Sequence, residues 1–202
     1  LCCRPSFTVL MSQHPRLFTP GPLTTSESVR KPLSLDYGSR DQRFVDGVRE
    51  IRETLVSLAD APDMECVLMQ GSGTFGMESV LDTFLSEEDR ILVLINGAYG
   101  RRTRDIASRL GKQVVTMEWP EDEAVDASAV SGMLEEDRTI THVWMVHCET
   151  TTGLMNDLVS VGRVVSQAGK RFLVDAMSSF GGIPIDLEVA HVDGLISSAN
   201  KC

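Results

Sequence analysis

A chain of 202 residues, 42% hydrophobic and 24% charged, is long enough to bury one full core and has the composition of an ordinary globular domain. Its 29 acidic and 19 basic residues leave a net charge of −10, which argues against general binding to nucleic acid or to an anionic membrane. No apolar run approaches the ~20 residues of a membrane span. The five cysteines (Cys2, Cys3, Cys66, Cys148 and Cys202) are odd in number and show no CxxC spacing. That pattern suits a reducing compartment, cytoplasmic or mitochondrial, better than a disulfide framework, and no metal site is expected.

Residues 1–16 are expected to lie outside the folded domain. The stretch Leu1–Leu10, ahead of Met11, has neither a long apolar core nor an amphipathic arginine pattern, and reads as non-native sequence rather than a targeting segment. His14-Pro15 and Thr19-Pro20-Gly21-Pro22 predict an extended arm with a tight turn over 11–24. Phe44, Val48, Ile51, Leu55 and Leu58, three or four apart, predict a helix over 41–59. Cys66-Val-Leu-Met-Gln70 predicts a short buried strand, 71–74 a turn and 75–84 a helix.

The alternation then repeats. Strands are predicted over 91–95, 113–118, 142–147, 171–174 and 194–197, and helices over 101–110, 127–134 and 159–168. Strands alternating with helices predict an α/β fold with a mostly parallel sheet covered on both faces. In such sheets ligands sit at the carboxyl ends of the strands. Five loops should therefore meet on one edge: 71–74, 96–100, 148–153, 175–179 and 198–201.

These loops carry the candidate chemistry. Gly71-Ser72-Gly73-Thr74 opens a helix with free N–H groups and two hydroxyls, which suits a phosphate, although a plain capped turn has the same sequence. Tyr99, at a strand tip, can cover a flat heterocycle or simply lie on its own loop. In His147-Cys-Glu149-Thr-Thr151-Thr-Gly153 the hydroxyls can bond a cofactor oxygen, and His147 and Glu149 can tie neighbouring loops. Residues 147 and 148 point to opposite faces of a strand, so a Cys–His nucleophile is poor geometry. Asp175 ends a strand, and Lys201 follows Ser197-Ser-Ala-Asn200. A strand-end carboxylate with a lysine-bearing loop is what a pyridoxal-phosphate site needs: an amine for the cofactor aldehyde and a partner for the protonated pyridine nitrogen.

At these residues the chain resembles the class V, fold-type I pyridoxal-phosphate aminotransferases. The supporting strings are Phe18–Thr25, Gln70–Phe75, Leu94–Gly100, Val146–Gly153, Val174–Asp186 and Ser197–Cys202. The resemblance runs from about residue 17 to the end. It implies a three-layer large domain over 17–202, incomplete at its C-terminal side, with the small C-terminal domain absent. Its Tyr99 and its Ala199-Asn200 pair point to the branch that moves the amino group of 2-aminoethylphosphonate to pyruvate, giving phosphonoacetaldehyde and alanine.

By position, the resemblance makes Lys201 the cofactor attachment and proton shuttle, and Asp175 the pyridine partner. Ser72, Gly73 and Thr74, with Ser198 and Asn200, would bind the phosphate. Tyr99 would stack on the ring, Thr151 would bond near the ring oxygen, and Pro20, Gly21 and Pro22 would border the substrate entrance. The implied partners are a small amino donor, pyruvate and a second copy of the full-length chain as a homodimer, with neither nucleic acid nor membrane. The sequence alone is expected to lack turnover and to expose apolar surface. Two other readings stand beside this one: an alanine–glyoxylate or serine–pyruvate aminotransferase, and a non-catalytic α/β domain that binds a phosphorylated ligand through 71–74.

Overall fold

The computed structural model describes residues 16–201, so Met11 and the other residues of the expected extension up to 15, as well as Cys202, lie outside the described part. Five strands, β1 (Arg90–Ile95), β2 (Gln113–Glu118), β3 (His142–Val146), β4 (Arg171–Asp175) and β5 (Gly194–Ile196), form one sheet in the order β2-β1-β3-β4-β5. Every neighbouring pair is parallel. Runs such as Ile91-Leu-Val-Leu-Ile95 are apolar throughout because both faces are covered.

The helices are α1 (Glu27–Arg30), α2 (Gln42–Leu58), α3 (Gly73–Phe84), α4 (Ala98–Arg109), α5 (Ala127–Glu136) and α6 (Leu158–Gln167), with a 3-10 turn at Lys31–Ser34. Alternate strand residues feed two cores. Leu92, Leu94, Val143, Met145, Phe172 and Val174 pack with Val130 and Leu134 of α5 and Val161 and Val165 of α6. On the opposite face, Ile91, Val93, Trp144 and Leu173 pack with Met77 and Leu81 of α3 and Ile106 and Ala107 of α4. The expected three-layer α/β arrangement is present. Among the described residues no helix is long and apolar enough to cross a membrane.

Two expectations need correction. Residues 66–70 form no strand: Val67 is 75% exposed, and Leu68 and Met69 are exposed too. Among the described residues no strand lies beside them to complete a ladder, and they are tethered instead by Arg52 Nε, which donates to the Cys66 carbonyl at 2.6 Å. Helix α4 begins at Ala98, not Arg101, so Tyr99 and Gly100 belong to its first turn rather than to a loop. The short α1 and the 3-10 turn after it carry too few residues to show a period, and were not expected.

Candidate active site at the strand ends

The winding reverses between β1 and β3: β2 lies on one side of β1, and all later strands lie on the other. Such a reversal leaves a crevice at the carboxyl ends of the strands. The register aligns Val146 with Asp175 and Asp175 with Ile196, so the loops after β3, β4 and β5 leave the sheet at one level.

Asp175 forms the floor. It is 2% exposed. Its Oδ1 accepts the Met177 N–H at 3.0 Å, while Oδ2 is buried with no hydrogen-bond partner. Burial pushes its pKa up to about 6; the Met177 N–H opposes this, the nearby Glu149 adds to it, and Lys201 opposes it again. His147 is also buried, which holds its pKa below the usual value, and its Nδ1 lies 2.9 Å from Ser179 Oγ. Its backbone N–H donates to the Asp175 carbonyl at 2.9 Å.

The 71–74 turn stands beside these loops. Ser72 caps α3, accepting the Phe75 N–H at 3.3 Å. Gly71 has φ 149°, a conformation that favours glycine. At Gly73 a methyl group would meet Met177 Sδ at 2.5 Å and Ser198 Cβ at 3.5 Å, so the turn touches the loops after both β4 and β5. Ser198 Oγ donates to Asn200 Oδ1 at 2.8 Å, and the Lys201 N–H donates to the Ser198 carbonyl at 3.2 Å. The lysine side chain runs over Gly21, where a methyl group would come within 2.9 Å of Nζ. Pro20 and Pro22 flank that contact and are exposed; Thr19 Oγ1 donates to the Pro22 carbonyl at 2.7 Å.

Half-buried Tyr99 donates its backbone N–H to Glu149, and the Arg102 guanidinium lies 5.4 Å from its ring centre. Thr151 is exposed; the neighbouring Thr150 is the one whose hydroxyl bonds Ser178 in the loop after Asp175. The structure therefore brings together Ser72, Gly73, Ser198, Asn200, Lys201 and Gly21 along one rim, with Asp175 below. The reading of His147 and Glu149 as loop ties agrees with their contacts. Sequence reasoning passed over Thr150, Met177 and Ser178. Thr150 stood next to a chosen hydroxyl, but Met177 had no signal as a neighbour of Gly73.

The donor set fits pyridoxal phosphate. An orphaned buried carboxyl oxygen calls for a cationic N–H partner, hydroxyls and free N–H groups cluster at the start of α3, and an amine lies on the next strand end.

A family model described as Aminotransferase class-V matches residues 31–202. The chain is 47% identical over 189 residues to the 2-aminoethylphosphonate–pyruvate transaminase of Lysinibacillus sphaericus, covering 93% of this chain and 52% of the relative. Against the enzyme of the same name from Pseudomonas fluorescens (strain Pf0-1) identity is 44%, covering 93% and 51%. The alanine–glyoxylate aminotransferase of Nostoc sp. superposes with a TM-score of 0.87 at 28% identity, covering 99% of this chain and 52% of that one. The chain thus spans about half the length of these relatives. With the model match running through strands, crevice and lysine alike, the chain belongs to the class V aminotransferases.

Proposed function

We propose that these residues are the cofactor-binding large-domain portion of a transaminase that moves the amino group of 2-aminoethylphosphonate to pyruvate, giving phosphonoacetaldehyde and alanine. The observation that carries the cofactor assignment is the buried, unpartnered Asp175 Oδ2 on β4, next to the strand that leads to Lys201. The substrate assignment is supported by relatives of that name at 42–47% identity, against 28% for the alanine–glyoxylate enzyme.

Pyridoxal phosphate supplies an aldehyde carbon and an electron-accepting ring. Asp175 would accept the ring's N–H through Oδ2, and a cationic partner there would offset the burial that raises its pKa and hold it as the carboxylate. Lys201 Nζ would be the attachment point and could hold and return a proton at that atom. Ser72, Gly73 and Thr74 at the start of α3, with Ser198 and Asn200, take the phosphate. Tyr99 would cover the ring, Thr151 would bond near its oxygen, and Pro20, Gly21 and Pro22 would border the entrance. Gly21 leaves the space that the lysine amine occupies. The whole enzyme works as a homodimer in the cytoplasm; the exposed apolar residues of α2 suit such burial, and sedimentation of the full-length protein tests it.

The deciding experiment adds pyridoxal phosphate to a version extended to the relatives' length. A lysine-linked visible absorbance band should form, be lost in Lys201→Ala, and collapse on adding 2-aminoethylphosphonate. A band that ignores this donor but responds to alanine moves the substrate to the alanine–glyoxylate branch. No band with the wild-type protein leaves a non-catalytic phosphate-binding domain.

A further inference from the structure

Five helices carry their own caps: Ser26, Asp41, Ser72, Asp126 and Asp157 each accept a first-turn N–H of α1, α2, α3, α5 and α6. Helix α4, which carries Tyr99, has Gly97 at that position and no side-chain cap of its own. The first-turn N–H groups of α4 nevertheless have partners. Glu149 lies in the loop after β3, across the crevice left by the winding reversal, and is 0% exposed. Its Oε2 accepts the Tyr99 N–H at 3.2 Å and its Oε1 accepts the Gly100 N–H at 3.0 Å. Gly97 makes room for it: a methyl group there would stand 2.4 Å from the Glu149 carboxyl carbon.

We propose that Glu149 is the positioning residue for Tyr99, holding the tyrosine at the site by capping its helix from a neighbouring strand-end loop. The inference rests on the reading of Tyr99 as the residue that covers the cofactor ring.

A chain of contacts links that cap to the floor of the site. Within the Glu149 loop, the Gly153 N–H donates to the Glu149 carbonyl at 2.7 Å, and the Glu149 N–H donates to the Leu154 carbonyl at 3.0 Å. Thr150 next to it bonds Ser178, and His147 two residues earlier donates its N–H to the Asp175 carbonyl. On the far side, Thr103 Oγ1 donates to the Tyr99 carbonyl at 3.1 Å and Arg102 lies over the ring. Tyr99 is therefore placed relative to Asp175 through Glu149, not through its own loop. A carboxyl suits the task because its two oxygens accept from two N–H groups at once. A glutamine of the same shape has one acceptor oxygen and would turn an NH2 against the second N–H.

The test separates this role from simple space-filling and needs no cofactor. In Glu149→Gln, amide hydrogen exchange at Tyr99 and Gly100 should quicken by roughly ten-fold or more, while the β3 amides Val143–Val146 keep their protection. The chain has two tyrosines, so fluorotyrosine labelling gives one NMR signal for Tyr99 and one for Tyr37, and only the Tyr99 signal should shift or broaden. Gly97→Ala, whose methyl group displaces the carboxyl, should reproduce both effects, and carries the test alone if Glu149→Gln fails to fold. Wild-type exchange and an unmoved Tyr99 signal would overturn the proposal, because the isosteric glutamine then does all that Glu149 does. If the wild-type protein takes up no pyridoxal phosphate, the proposed function fails, while these cofactor-free readouts still decide the role of Glu149.

Discussion

Helices α6 and α2 carry the same kind of sequence, apolar residues three and four apart, yet meet opposite fates. In α6, Leu158, Val161, Gly162 and Val165 are buried against the sheet and α5. The longer α2 buries none of its residues, and Phe44, Ile51 and Leu58 are exposed. Val67, Leu68 and Met69 share the second fate, apolar and uncovered. Periodicity therefore states that a face must be covered, but not what covers it. That lies in the tertiary structure, and this chain spans about half the length of its relatives. The expectation of exposed apolar surface agrees with this face.

The largest loss is expected at Gly162, where α6 approaches the backbone so closely that a methyl group would stand 1.8 Å from the Ala190 carbonyl oxygen. Gly162→Ala should cost about 3 kcal/mol in a urea titration, since backbone cannot move aside as a flexible side chain can; an unchanged midpoint would mean that α6 is not seated as described.

Next comes Asp175, in the same buried region but with the opposite sign. Its folded pKa of about 6 lies above the unfolded value of 3.8, so its contribution is full below pH 3.8 and is lost as pH rises to about 6. In the cofactor-free protein that loss is about 3 kcal/mol, and Asp175→Asn should remove it, flattening stability against pH and raising the melting temperature at neutral pH. A pH profile identical to wild type would show that the carboxyl finds a partner in solution.

Val161→Ala, which empties part of the α6 interface, should cost about 2 kcal/mol by the same titration. The smallest effect is expected on the other face. Ile51→Glu should change stability by no more than about 0.5 kcal/mol, while lowering self-association measured by light scattering. A loss as large as that of Val161→Ala would show that α2 is covered after all and would dissolve the comparison.

Much of the architecture was legible because each strand buried on both faces reads as an unbroken apolar run, and each helix except α4 brings its own cap. Gln113–Glu118 forms its strand with the predicted bounds. The two corrected expectations share one cause, a partner distant in sequence or lacking. The start of α4 was missed because its cap, Glu149, is some fifty residues further on. Residues 66–70 read as a buried strand because local sequence cannot report that, among the described residues, no neighbouring strand is there to receive them. At the site, Ser72, Asp175 and Lys201 stood out through residue type and position at strand ends. Thr150 and Met177 did not, since ordinary residues become site neighbours only through loop packing.

By itself the sequence determined the alternation of strands and helices, the apolar faces, and the chemical types present at the strand ends, because these follow from side-chain periodicity and local capping. Only the tertiary structure decided that the winding reverses between β1 and β3, that Asp175 keeps one buried oxygen without a partner, and that Glu149 rather than Gly97's own loop holds Tyr99. Burial and hydrogen bonding between residues far apart in the chain depend on how the layers close around them, which no local stretch of sequence contains.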